Sequence, residues 1–503
     1  MKAAELNFFP SSTPASRRGS SRLVWGLSCA TILLALFFGG GTTAGLGSDA
    51  LVQVFSLGLL GAVLWSGDRA AAERLRGPLV LVALIFLLPL LQLVPLPASI
   101  WTSLPGRELF ADGFRAAGMR LPWEPISLDP AATSLSLFSM IPAIATFIAA
   151  LFLDLRQRRF LSLLILAFTG LSVLLGLAQL AGGPESPLRF YDPTNSTQAV
   201  GFFANRNHYA ALLSCSIPLV SAWIVGHLAT QGPRFRLSLM LLLVAYPGIM
   251  LGLGTAYSRA GLILGLVGGL GSIPLMRDKG ASGRRSGALL LLFCAAVLLG
   301  LGLAFQFGFV GISERLQAGV LTDLRWPAAS IVAGAIKRFF PVGTGFGTFV
   351  PVYQLFEGPD MLWDAFLNHA DNDWLELALT GGLPALAVLL AFLLWFVRQS
   401  VRVWWQPPPH VGALDRALPR AASIIVVLLL LHSTVDYPLR TTTLMVVFSL
   451  SCGFMVRLGR SAARPDADQG SKPMLVHGSA VSARGNSKSL DPCRRVGRSS
   501  GSR

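Results

Sequence analysis

Hydrophobic and polar positions fall in long alternating blocks along this chain. Runs of about 16–24 apolar residues, nearly free of charge, are separated by short polar segments. A helix needs about 20 such residues to cross the hydrocarbon of a bilayer. The pattern predicts spans at roughly 23–40, 51–66, 77–96, 132–153, 159–181, 205–225, 237–256, 259–276, 287–306, 374–397, 420–435 and 441–457. The polar clusters are unevenly placed. Asn205-Arg206-Asn207-His208, Tyr257-Ser258-Arg259, Arg325 and His369-Ala370-Asp371-Asn372-Asp373 all stand at span ends. Simple alternation of twelve spans puts every one of them on the same face.

Composition agrees with the blocks. Of 503 residues, 53% are hydrophobic and only 13% charged, against roughly a quarter charged in soluble domains. The expected fold class is an all-α integral membrane protein of about twelve transmembrane helices. Basic residues give its orientation. With the N-terminus in the cytoplasm, 30 of the 41 Lys and Arg fall in cytoplasmic segments, and every cytoplasmic loop between spans is basic. Both termini are then cytoplasmic. The first span follows Arg22 without a convincing cleavage site, so it reads as a retained helix. Residues 1–22 and 459–503 read as disordered basic tails. Between them lie 23–199, with helices one to five, and 200–458, whose largest extracytoplasmic loop is 307–373, between helices nine and ten.

A net charge of +16 invites a nucleic-acid reading. The excess sits in short juxtamembrane loops and the C-terminal tail, with no basic groove carrying interleaved aromatics. Positive-inside topology and anionic membrane lipids account for it, and no nucleic-acid partner is expected. Cys29, Cys215, Cys294, Cys452 and Cys493 lie in spans or in the tail, and no two have metal-ligand spacing. Within 307–373, Val332, Ile336, Phe339 and Phe340 recur at helical spacing after Trp326-Pro327. That spacing predicts an amphipathic helix lying along the membrane interface. Pro341-Val342-Gly343-Thr344-Gly345-Phe346-Gly347 then breaks the pattern. It lacks the preceding strand and the following Gly-Lys-Ser/Thr that a phosphate loop needs.

Arg259 opens a span on the face that the positive-inside rule depletes of arginine. A charge kept there is expected to have a partner, and its guanidinium suits bidentate grip on a phosphate. Snorkelling to headgroups is the bland alternative. Arg325 follows Asp323, which reads equally well as its surface partner. His369 stands among Asp371, Asn372, Asp373 and Glu376. A carboxylate orients an imidazole and raises its basicity, as a general base requires. Asp371 and Asp373 offer a cation site instead, with fewer oxygen ligands than such sites use. Asn205, Arg206 and His208 start one span, while Asp436 and Arg440 follow another in His432-Ser433-Thr434-Val435-Asp436-Tyr437-Pro438-Leu439-Arg440. These are candidate substrate contacts or helix-end anchors. No serine nucleophile elbow, zincin motif or P-loop occurs.

Over roughly 200–440 the chain resembles the bacterial O-antigen ligase and polymerase superfamily of polytopic, C-type glycosyltransferases. The likeness begins with Gly201-Phe202-Phe203-Ala204-Asn205-Arg206-Asn207-His208-Tyr209-Ala210 and Ser258-Arg259-Ala260-Gly261. It continues through Asp323-Leu324-Arg325-Trp326-Pro327, the glycine run at 341–347, and His369-Ala370-Asp371-Asn372-Asp373-Trp374-Leu375-Glu376, and closes with Asp436-Tyr437-Pro438-Leu439-Arg440. Residues 1–195 match only as a hydropathy pattern.

The resemblance implies transfer of a glycan, with inversion, from undecaprenyl diphosphate to an acceptor hydroxyl. Lipid A core, another glycan or a protein would be the acceptor. The reaction would run on the periplasmic face of the inner membrane without nucleotide sugar, metal or other cofactor. Arg259 and Arg325 would hold the diphosphate, and His369 would take the proton of the attacking hydroxyl. Asn205, Arg206, His208, Asp371, Asn372, Asp373, Asp436 and Arg440 would contribute to substrate binding. Many relatives read His-Ala-His-Asn-Asp where this chain has Asp371, which leaves either His369 or Asp371 as the base. Two other classes stand beside this reading. A lipid-linked-glycan flippase or transporter would need polar residues deep within the spans. A non-catalytic polysaccharide assembly partner would tolerate loss of both Arg259 and Arg325.

Overall fold

In lipid, an unbranched chain satisfies its own backbone groups most simply as a helix, and the computed structural model is built from helices. It describes residues 14–42, 47–66, 75–191, 196–228, 233–276, 302, 306, 325–358, 367–408 and 411–457. Helices α1 (Pro14–Phe38), α2 (Gly47–Ser66) and α3 (Arg76–Gln92) come first. Short helices α4 (Ala98–Trp101) and α5 (Glu108–Ala116) follow, closed by an isolated antiparallel bridge between Leu96 and Glu124. Helix α6 (Pro130–Ser139) runs through a break at Met140 into α7 (Ile141–Phe152). Next come α8 (Leu155–Ala181), α9 (Arg206–Leu228), α10 (Pro233–Thr255) and α11 (Arg259–Met276). After α12 (Arg325–Phe339) and α13 (Phe349–Gln354) stand α14 (Asp373–Trp405) and α15 (Ala413–His432). A 3-10 turn at Pro438–Arg440 leads into α16 (Thr442–Met455).

Seven helical segments among the described residues are long and apolar enough to cross a membrane. The architecture is that of a helical membrane protein. A helix occupies every predicted span except 287–306, which lies outside the described residues but for 302 and 306. Helix α9 is apolar all round because protein surrounds it. It packs against α8, α10, α11 and α15, and nearly all of it is buried, as a helix without a polar face should be.

Helix α12 departs from expectation in what covers it. Ala328, Val332, Ala335 and Phe339 are buried together with Phe349, Val352 and Tyr353 of α13 and Leu379 of α14. Lys337 and Arg338 face outward. Val332 and Phe339 of the expected apolar stripe therefore pack on protein, Ile336 is partly buried and Phe340 is exposed.

The glycine run that follows threads between two layers. Thr344 N and Gly345 N donate to Leu379 O and Thr380 O at 3.1 and 2.9 Å, and Leu128 N donates to Thr344 O at 2.8 Å. Gln92, at the end of α3, clamps the run: its Oε1 accepts from Phe346 N at 3.0 Å, and its Nε2 donates to Thr380 O at 2.9 Å. Gly345 has φ 106°, and a β-carbon there would stand 2.8 Å from Ser127 Cα. The run lies against the kink of α14 at Gly382, where φ is 58° and ψ −155°. Leu383 N donates to Pro341 O across it at 2.8 Å. Buried Arg107 donates through Nη2 to Gly343 O at 3.2 Å and to Ile126 O, and sits 5.5 Å over the Phe339 ring. Burial lowers its pKa to about 10. These contacts lock the first turns of α14 to α3, α6 and the loop before it.

Candidate active site

Helix α14 starts where Asn372 caps it. Asn372 Oδ1 accepts from Trp374 N and Leu375 N at 3.0 and 3.1 Å, and Nδ2 donates to Thr434 O at 2.9 Å. Its side chain is thus engaged within the protein as a helix cap. Starting the helix at Asp373 puts Asp373 and Glu376 one turn apart on a shared face.

Arg440, from the 3-10 turn, meets both carboxylates. Its Nε lies 3.1 Å from Asp373 Oδ1 and its Nη2 3.4 Å from Glu376 Oε1. Asp373 Oδ2 accepts from Ser433 Oγ at 2.8 Å and from Leu439 N at 3.4 Å. Asp373 N donates to Ser433 O at 2.9 Å, which joins the start of α14 to the end of α15. Burial works against the Arg440 charge, but Glu376 and Asp373 outweigh it and hold its pKa above the ordinary arginine value.

His369 stands just before this turn. Its Nδ1 is 3.1 Å from each Glu376 oxygen, and Ala370 N donates to Glu376 Oε2 at 3.1 Å. Glu376 is thus a carboxylate that orients the imidazole, and the backbone between them turns at Asp371 with φ 48°. The Glu376 side chain is 1% exposed and that of His369 20%, so the imidazole reaches open space while its partner does not. A carboxylate at Nδ1 assigns the proton to that nitrogen and leaves Nε2 as the basic one.

Beneath His369 lies Tyr437. Its ring centroid is 4.5 Å from that of His369 and 4.9 Å from that of His208. Burial, with Asp436 and Asp371 adding to it, raises the Tyr437 pKa, so the phenol stays protonated. Asp436 Oδ1 accepts from Tyr437 N at 2.7 Å and stands 3.3 Å from His208 Nε2, without the alignment of a hydrogen bond. Asn207 Nδ2 donates to Asp436 Oδ2, and Asn207 Oδ1 accepts from Ser258 Oγ at 2.8 Å. Ser258 Oγ accepts in turn from Gly261 N at 3.1 Å, which caps α11. Asn205 Oδ1 closes the turn by accepting from Asn207 N at 2.8 Å.

His208 and Asp436, expected at the substrate, are 0% and 1% exposed at the side chain and form the floor under His369. Through Asn207 and Ser258 that floor reaches Arg259, the first residue of α11. Arg206, first in α9, has buried Nε and Nη1 atoms without a hydrogen-bond partner among the described residues. Arg325 opens α12, and its side chain lies outside the described part.

His369, Asp373, Glu376 and Arg440 line the polar end of a cavity of about 770 Å³. Most of its remaining wall is apolar, with Leu81 and Ile85 of α3, Phe147 of α7, Leu389 and Phe392 of α14 and Phe448 of α16. Two carboxylates against one guanidinium leave this end at about −1 when the imidazole is neutral. The cluster favours proton abstraction, and an anionic ligand has to be met by other cations. No group of three or more His, Cys, Asp or Glu arranged to hold a metal occurs among the described residues.

Glu376, Tyr437, Asn207 and Ser433 were not singled out as site residues from sequence. Glu376 was legible as the residue one turn after Asp373. The other three lie inside polar motifs at span ends, but their partners lie far along the chain and sequence does not show them. No family model matches the chain, and no curated protein matches it either.

Proposed function

We propose that this chain is a membrane glycosyltransferase of the O-antigen ligase or polysaccharide polymerase kind. It moves a glycan from undecaprenyl diphosphate to an acceptor hydroxyl on the periplasmic face of a bacterial inner membrane. One observation carries the reading: an oriented imidazole–carboxylate pair stands at the polar end of a cavity of about 770 Å³ whose other walls are mostly apolar. A soluble sugar needs no such apolar wall, whereas an isoprenoid carrier does.

In the proposed step, His369 Nε2 removes the proton of the acceptor hydroxyl while Nδ1–H donates to Glu376. The acceptor oxygen bonds to the anomeric carbon, and the bond from that carbon to the diphosphate oxygen breaks. Undecaprenyl diphosphate leaves with the electron pair. The −1 cluster cannot stabilise that leaving group, so the charge falls to Arg259, Arg325 and Arg206, with its unsatisfied inner nitrogens. Preorganised guanidinium groups in a partly dry site suit that role. Arg440, already paired twice, positions Asp373 and Glu376.

The twelve-span topology with both termini cytoplasmic belongs to the same proposal. The bundle end away from His369 carries Arg158, Arg159, Arg402, Arg416 and Arg420, as a cytoplasmic end should. The test is surface-glycan electrophoresis on a deletion strain complemented with wild type, His369→Ala, Arg259→Ala or Arg325→Ala, each checked for expression. The expected result is loss of the glycan with lipid-linked precursor held on the periplasmic side. Full restoration by all three variants turns the account toward transport or assembly.

A further inference from the structure

The cavity has a second polar wall that the reaction above does not use. Asp49 and Gln53 of α2 both line it, together with His369, Glu376 and Arg440. They are four residues apart, so they share one face of the helix. They stand at the edge of the buried face of α2, which carries Val52, Ser56, Leu59, Ala62 and Val63, and are themselves half-buried. Asp49 is fixed from across the chain: Thr442 Oγ1, two residues after Arg440, donates to Asp49 Oδ1 at 3.1 Å.

A carboxylate in the first turn of a helix gains from the helix dipole wherever it stands. That accounts for an acidic residue at the start of α2. It does not account for a carboxamide one turn deeper on the same cavity wall. The cost of facing polar groups into a largely apolar cavity is offset when a ligand brings hydrogen-bonding groups to them. This wall and His369 line one cavity, so the polar end of a single ligand can meet both.

Resting on the glycosyltransferase reading, we propose that Asp49 and Gln53 form the sugar-binding wall of the cavity. They hold the sugar next to the diphosphate while His369 works at the reacting centre. Asp49 accepts from sugar hydroxyls or from an acetamido N–H. Gln53 donates to a sugar oxygen or an acetyl carbonyl and accepts through Oε1. Helix α2 is then the element that distinguishes a glycan-bearing carrier from the bare carrier, which the cell also contains once transfer is complete.

The experiment uses the full-length protein in nanodiscs and two probes, undecaprenyl diphosphate and undecaprenyl diphosphate carrying one N-acetylglucosamine. Phosphatidylglycerol is the control. Wild type is expected to bind the sugar-bearing lipid about tenfold more tightly than the bare one, as one or two net hydrogen bonds allow. Asp49→Asn keeps the size and the Thr442 contact, and Gln53→Ala leaves Asp49 in place. Each should reduce the preference to about twofold or less without changing affinity for the bare lipid. Equal binding of the two lipids by wild type, or a preference that survives in both variants, overturns the proposal and leaves the transferase reading standing. Binding of neither lipid above the phosphatidylglycerol control removes the transferase reading and this proposal with it.

Discussion

At the residue scale the proposed reaction requires His369 to have one nitrogen committed to Glu376, as observed, and the other left for substrate. Replacing His369 with Ala removes the base and should lower transfer by about 10²–10⁴, with binding of the lipid diphosphate retained. Glu376→Gln keeps the shape but loses the charge that orients the ring. It should lower kcat by about 10–100-fold with little change in KM, as removal of a partner behind a functional histidine does. Glu376→Asp should recover part of that loss, and a merely structural role for Glu376 would show no such kcat-against-KM split. Asn372 differs in kind. Its amide is spent on the cap of α14 and on Thr434, so Asn372→Ala should cost about 1 kcal/mol of stability, read as a lower melting temperature in detergent.

At the element scale the glycine run at 343–347 decides where the first turns of α14 sit. Gly345→Ala puts a β-carbon 2.8 Å from Ser127 Cα at a residue with φ 106°. The strain, about 1–3 kcal/mol, has no easy release because Leu379, Thr380 and Gln92 hold the run on its other side. We expect a melting temperature lower than wild type and a parallel loss of transfer, both measured on purified protein. Helix positions were legible in the sequence because an apolar run near membrane length has few alternatives to helix. The surface against which α12 packs was not: an apolar stripe reads the same whether lipid or α13 covers it. His369, Asp373 and Arg440 stood out as polar residues at helix ends. The floor made by His208, Asp436 and Tyr437 joins residues about 230 positions apart, and no local pattern encodes such a pairing.

At the scale of the whole molecule, a reaction at one end of the bundle requires that end to face the side on which the lipid-linked glycan is presented. The proposed topology places Glu185 outside and Gln406 inside, and both are exposed. In a cysteine-free background, Glu185→Cys should react with a membrane-impermeant maleimide in intact cells, and Gln406→Cys only after permeabilisation. The reverse pattern would put the site on the cytoplasmic face and separate it from a periplasmic donor. The most direct measurement is on purified protein in liposomes, given lipid-linked glycan extracted from cells that lack it, with release of undecaprenyl diphosphate and gain of glycan on acceptor followed together. The account predicts equal amounts of both products with wild type and almost none with His369→Ala, at matched protein and retained donor binding. Equal turnover by wild type and His369→Ala, or movement of the donor across the bilayer with no release of the carrier, would contradict it.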